Sequence, residues 1–244
     1  MAVRHRRADA DGRVLRGEST RANLIDAGVR IFSARDFSAV TTRELAVAAG
    51  ANQAAILYHF GSKEGLYRGV AEHVAERARA AFGDSCAAAA GVRDSRDRAS
   101  CMEALRTVLR AFTRGLIEMT ADSGALVDFI VREQAHPGPG FDILYTGYIG
   151  EMHRCITDLV ALATGRALDE PSAIVDAHAI IGMALSFAVA RTTFHRRARS
   201  RRYTSRDVEA LADRVAELGC RAVNENSDRT AVIAPCSTSN GKPL

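Results

Sequence analysis

Between Thr41 and Lys63 the chain gathers side chains that can hydrogen-bond a nucleic acid. Arg43 can fork onto guanine and Gln53 onto adenine, and each such two-point contact discriminates against the wrong base by about 1–3 kcal/mol. Thr41, Thr42, Tyr58, His59 and Lys63 supply hydroxyls, an imidazole and an ammonium, all able to donate to anionic oxygens. Ala54, Ala55 and Leu57 offer apolar surface of the kind that meets thymine methyls. So few polar groups in the second half of the stretch imply few direct base contacts and reliance on duplex shape. Two alternatives stay open: Arg43 as an ordinary solvated helix residue, and Tyr58 and His59 as packing residues, with His59 hydrogen-bonded internally.

These side chains need two short helices held at a fixed angle. Thr41 is a helix-capping type with Glu44 three positions on, which predicts a capping box opening the first. Leu45, Ala46 and Ala49 give it a small apolar face, Gly50 ends it, and Asn52 can cap the next. The second helix is predicted to bury Ile56 and Phe60 and to present Gln53, Ala54, Leu57 and Tyr58 on another face. That is a helix-turn-helix, with a second helix sized for a major groove. From Ser19 an earlier helix carries Leu24, Ile25, Gly28, Ile31 and Phe32 in one stripe and completes a three-helix core. Beyond Ser62 a fourth carries Leu66, Tyr67, Val70, Val74 and Ala78 and runs out near Gly83.

The segments TTRELAVAAG and ANQAAILYHFGSKEGLY resemble the DNA-binding domain of the TetR family of bacterial transcriptional regulators, over roughly the first third of the chain. The resemblance implies phosphate contacts from Thr41, Thr42, Tyr58, His59 and Lys63. It also implies a fourth helix that joins a DNA-reading head to a body. Leu57 stands where the family often has an aromatic, which puts that contact in doubt.

The 244 residues suffice for one large or two modest domains, and 47% hydrophobic content without Trp fits an Ala-rich helical protein. A net charge of +4 and a pI near 9.0 permit nucleic-acid binding without demanding it, and argue against a histone-like coat of charge. Five scattered cysteines without a C-x-x-C speak against a disulfide framework or zinc ribbon and for a reducing cytoplasm. The basic N-terminus leads to no apolar run, and the stretch from Ala177 to Ala190 falls short of a membrane span, so no membrane is expected. Residues 1–18, with Arg4, Arg6, Arg7, Arg13 and Arg16, read as a flexible arm: either solvated, or touching phosphates or the minor groove.

After a loop expected at residues 85–98, helices are predicted over 101–119, 124–134, 141–164, 171–196 and 205–223, with HPGPGF breaking the chain at 136–141. Residues 224–244 carry no period and are expected to be disordered. The segment REQAHPGPGFDILYTGYIGEMHRCITDLVALATG is similar to the C-terminal domain of the CerR-type branch of TetR regulators. The fold class that follows is all-α: a helix-turn-helix head at 19–80 and a helical ligand-binding and dimerisation body at 81–223. In the family the last two helices pair with their copies, which marks Ile174, His178, Ile181, Leu185, Val189, Val208, Leu211, Val215 and Leu218 as interface. A homodimer on a near-palindromic operator follows. Finishing the monomer core is the alternative use of both helices.

Phe112, Phe129, Phe141, Tyr145, Tyr148, Met152 and Phe187 are candidates to line an effector cavity, with Glu133, His136 and His153 fixing an unknown small molecule. Aromatics and Met at this spacing equally make plain core. Neither metal nor cofactor is expected, a lone Glu-x-x-His being weak, and Cys155 and His153 form no activated-nucleophile constellation. The sequence thus points to a dimeric, effector-released repressor and away from an enzyme. An interaction protein whose head no longer reads DNA is the competing class.

Overall fold

The computed structural model describes residues 2–121, 124–168 and 170–225, with the backbone alone for residues 2–16, 83 and 95. The helices are α1 (Ala2–Ala34), α2 (Thr42–Ala48), α3 (Gln53–Phe60), α4 (Lys63–Ser95), α5 (Arg98–Glu118), α6 (Ala125–Ala135), α7 (Phe141–Leu144), α8 (Gly150–Thr164), α9 (Pro171–Val189), α10 (Arg191–Ala198) and α11 (Ser205–Glu225). A 3₁₀ turn covers Phe37–Ala39 and a π turn Tyr145–Ile149. No strand occurs among the described residues, and the fold is the expected all-α one.

Three element boundaries differ from expectation. The first helix takes in residues 2–18, where an arm without regular structure was expected; Gly12 is the one poor helix former there, and no proline interrupts it. The fourth continues through CAAAAG to Ser95, because alanine has the highest helix propensity and Cys86 and Ala89 find buried places. The long apolar helix stops at Val189, and α10 follows after Ala190. The expected disordered tail lies, from residue 226 on, outside the described residues.

The chain divides into two compact units. The first holds residues 1–79 and 119–149, so the segment around α6 and α7, expected with the body, belongs with the head. Polar bonds within that unit explain why. Glu133, 1% exposed, accepts hydrogen bonds from the Tyr67 hydroxyl and, at 3.3 Å, from the Gly138 N–H. The neighbouring Arg132 pairs with Asp36 and donates to the Ser33 carbonyl. Burial first, then the Glu133 carboxylate, push the Tyr67 phenol far above its usual range, so it stays a hydrogen-bond donor. Phe32, Tyr67 and Phe129 pack edge to face and tilted around this point, with ring centroids 4.7 and 5.4 Å apart.

The second unit holds residues 80–118 and 150–244. Here α11 lies along α5, α5 against α8 and α9, and α8 against α9. Its core includes Leu105, Leu109, Ile156, Leu159, Ile180 and Val215. By length and composition alone α9 is apolar enough to cross a membrane, which corrects the expectation that this stretch falls short. One flank of α9 is nevertheless buried within this unit, from Ala173 through Ala177, Ile180, Ile181 and Ala184 to Ala188.

Removing the Glu133 carboxylate strands two buried donors. Glu133→Ala is therefore expected to lower unfolding free energy by about 1–3 kcal/mol, measured by urea denaturation. An unchanged midpoint would contradict this clamp.

Candidate nucleic-acid interface

Thr41 has extended backbone and caps α2: its hydroxyl accepts from the Glu44 N–H at 3.2 Å, while its own N–H donates to the Glu44 carboxylate at 2.8 Å. The same hydroxyl also donates to Glu44, at 2.8 Å, so its proton is already engaged before any phosphate arrives. Arg35 closes the arrangement with a 2.8 Å ion pair to Glu44. That guanidinium first, then the Thr41 amide and hydroxyl, hold the Glu44 carboxyl down at about 2, against an ordinary 4.5. Leu45 and Ala46 bury the inner face, leaving Arg43 and Val47 exposed.

Gly50, with φ +63°, makes the turn that a side chain would strain, and Ala51 donates back to the Ala46 carbonyl at 2.9 Å. Asn52 then caps α3, its side-chain oxygen accepting from the Ala55 N–H at 2.9 Å. In α3 only Ile56 is fully buried. Phe60, expected in the core, is half-buried, with the Arg21 guanidinium 5.3 Å from its ring centroid. On the other side Gln53 and Ala54 are exposed, as are Leu57 (64%) and Tyr58 (84%), so the predicted presenting face is one continuous surface. Among the described residues neither Arg43 nor Gln53 is engaged in a hydrogen bond, which leaves guanidinium and amide available to base edges.

Ala55 and His59 are half-buried. The His59 ring stands edge-on to Tyr58, with centroids 4.9 Å apart, and comes close to Gly17 of α1. The internal hydrogen bond considered for His59 is not made to any described residue. Thr20 and Asn23 of α1 share an open recess with Asn52, Tyr58 and His59. These two polar side chains, exposed Val47 and Arg35 are neighbours of the interface that the sequence did not single out.

The structure gives Lys63 a role beyond the expected phosphate contact. Its ammonium donates to the carbonyls of Phe37 at 2.8 Å and Val40 at 2.9 Å, and sits 4.1 Å from the Phe37 ring centroid. It thereby fixes the loop that delivers Thr41. The junction beside it needs Gly65: a Cβ there would lie 1.9 Å from the Phe60 carbonyl oxygen. Ser62 caps α4 through the Gly65 N–H at 2.9 Å.

The body candidates fall into separate settings. In the first unit, Phe129 and Glu133 belong to the clamp around Tyr67, Tyr148 is buried, Phe141 is half-buried against Tyr145, and Tyr145 and His136 are exposed. In the second, Phe112 packs on Phe82 at 5.3 Å, and Met152 is buried. Phe187 meets Phe194 at 5.5 Å in a corner closed by Tyr203, whose hydroxyl donates to the Phe187 carbonyl. His153 faces His178, its Nε2 3.3 Å from the partner ring's Nδ1, and contacts Thr157 through Nδ1. Burial first and His178 second push His153 below its ordinary value. Glu133 is thus occupied by protein donors rather than open to a ligand, and no described group of three or more His, Cys, Asp or Glu could hold a metal.

Of the interface candidates, Ile181, Val208 and Val215 are buried within the single chain, against α5 and α8, which corrects their placement. Ile174, His178 and Val189 are exposed, and Leu185, Leu211 and Leu218 half-buried.

Residues 24–70 match the model described as bacterial regulatory proteins, tetR family, and residues 105–223 that of the HTH-type transcriptional dual regulator CecR, C-terminal domain. The chain is also 34% identical to CecR of Shigella flexneri over 183 residues, covering 73% of this chain and 80% of CecR. The chain belongs to the TetR family. Its C-terminal part is of the CecR type, the branch expected as CerR-type. The transcriptional repressor NicS of Pseudomonas putida is 36% identical over 62 residues, 25% of this chain and 29% of NicS. Two solved TetR-like structures share the fold. They are PfmR of Thermus thermophilus (17% identity, 81% and 97% of the chains, TM-score 0.54) and the fatty acid degradation regulator FadR of Bacillus halodurans (14%, 82% and 94%, 0.56). This TetR-family protein is a transcriptional regulator with a helix-turn-helix head.

Because Glu44 is held below its ordinary value, its stabilisation of α2 is complete above about pH 4.5 and disappears as pH falls toward about 2. Thermal unfolding of the wild type should therefore lose stability in that window, and Glu44→Gln should flatten the loss; superimposable profiles would contradict the box's role.

Proposed function

We propose that the protein is a dimeric repressor that lays two copies of α3 into successive major grooves of a near-palindromic operator. In this reading it acts in the cytoplasm and is released when a small molecule enters the body. The observation that carries this reading is the continuous exposed face of Gln53, Ala54, Leu57 and Tyr58 on a helix capped at both ends, with unengaged Arg43 beside it. Arg43 and Gln53 read base edges, Ala54, Ala55 and Leu57 meet thymine methyls, and Thr41, Thr42, Asn52, Tyr58, His59 and Lys63 face phosphates. With so few polar groups, shape readout supplies much of the selectivity. CecR is described as a dual regulator and NicS as a repressor; the sign of the effect depends on where the operator lies relative to the promoter.

Support for the dimer comes from α9, whose Ile174, His178, Leu185 and Val189 form an outward stripe spaced four, seven and four residues apart on an otherwise apolar helix. For release, the effector must bind the DNA-incompetent state more tightly, since equal affinity shifts nothing; a coupling of about 1–3 kcal/mol is typical.

Fluorescence anisotropy with DNA from upstream of the protein's own gene is the test. Wild type should bind selectively, with affinity falling steeply as salt rises. Arg43→Ala should lose about 1–3 kcal/mol at one base pair of each half-site, whereas Lys63→Ala should weaken all sequences alike and also destabilise the head. Equal losses on operator and random DNA for both would overturn these roles, and no selective binding by wild type would favour an interaction protein instead.

Charged substitution tests the interface separately. Leu185→Glu with Val189→Glu should give monomers by light scattering and abolish operator binding; a double variant that remained a dimer would exclude this face.

A further inference from the structure

Four cysteines have described surroundings, and all four are buried free thiols. Two of them are inert by construction. Cys101 donates to the Val92 carbonyl at 3.8 Å and Cys220 to that of Met102 at 3.9 Å, and burial raises both above the ordinary thiol value. Cys86 of α4 and Cys155 of α8 differ, because their thiols hydrogen-bond each other within the second unit. Cys86 is also the least buried of the four, at 9% exposed against 2% for Cys155. Farther along the same two helices, Arg93 and Asp158 form a 2.8 Å ion pair that keeps them aligned.

We propose that Cys86 and Cys155 are a redox-active dithiol, a modification site where a hydroperoxide drives formation of a Cys86–Cys155 disulfide joining α4 to α8. The roles are unequal. The hydrogen bond from Cys155 lowers Cys86, with Arg93 helping, against burial and the Glu151 carboxylate; the same bond, then burial, raises Cys155. Cys86 is the attacking thiolate and Cys155 the resolving thiol. The Cys86 sulfur attacks the peroxide O–O bond, an S–O bond forms, and the leaving alkoxide departs as the alcohol after taking a proton. Cys155 sulfur then attacks the resulting sulfenic acid. The S–S bond forms, the S–O bond breaks, and hydroxide leaves as water with the Cys155 proton. Two thiols and one hydroperoxide yield one disulfide, one alcohol and one water. Closure needs the sulfurs to approach to about 2.05 Å, from a contact already made. In a reducing compartment the dithiol is the resting form and thioredoxin-type dithiols restore it.

The test uses the full-length reduced protein, exchanged without oxygen and treated with cumene hydroperoxide. Non-reducing digestion and mass spectrometry should find a peptide pair linking Cys86 to Cys155, lost in Cys86→Ser and reversed by dithiothreitol. Before oxidation, Cys86 should alkylate with iodoacetamide at neutral pH at least about tenfold faster than Cys101 or Cys220, the ratio that one unit of thiol acidity gives. Circular dichroism of the serine variant checks its fold, and the linkage map of the wild type stands without it. The proposal is overturned if Cys86 and Cys155 both stay alkylatable after peroxide, if Cys86 pairs with Cys101, Cys220 or Cys236, or if its alkylation is no faster than that of the carbonyl-bonded thiols.

Discussion

A helix of eight residues does not hold its shape alone in water, since nucleation is costly and so few backbone bonds follow it. α3 has that length, and everything the head does depends on fixing it. Asn52 satisfies its first turn, left-handed Gly61 ends it, and Ile56 pins its one buried side. The elements around it are tied down with equal care. Glu44 joins Thr41 to Arg35, and Lys63 gathers the carbonyls of Phe37 and Val40. The exposed face is therefore free to be apolar and short of hydrogen-bonding groups, because its orientation is set from behind.

This division explains why polar residues of the head behave in two ways. Thr41, Glu44 and Lys63 are engaged with the protein, whereas Arg43 and Gln53 are not. The same logic extends to Glu133, whose carboxylate ties the 136–140 bend to Tyr67 at the expense of any role as a ligand group. In α9 the contrast is between two flanks of one apolar helix. Alanines and isoleucines pack inward, while Ile174 and Val189 stay exposed in the single chain. An exposed apolar stripe of that kind on a regulator of this family is where a second copy is most economically placed.

What the sequence made legible is what is local. Thr41 with Glu44, Gly50, and Asn52 act within a few residues of themselves, so residue type and spacing suffice, and the motifs around them led to the family. Lys63 was missed as a clamp because its acceptors are backbone carbonyls 26 and 23 residues away, which no side-chain pattern advertises. Glu133 and Tyr67 meet across 66 residues, and that pairing moves the α6–α7 segment into the head's unit. Periodicity marked Val208 and Val215 as apolar but could not say whether the face they occupy meets α5 or a second chain; packing decides that, and it is α5. The loop expected at 85–98 failed for a simpler reason, alanine's preference for helix.

The claim on which the rest stands is that two capped heads present α3 to one duplex. Hydroxyl-radical footprinting of the purified protein on the DNA upstream of its gene tests it most directly. Two protected patches of matching sequence, related by a two-fold axis and about one helical turn apart, centre to centre, are the predicted result. A single unpaired patch, or protection spread evenly along the fragment, would contradict it.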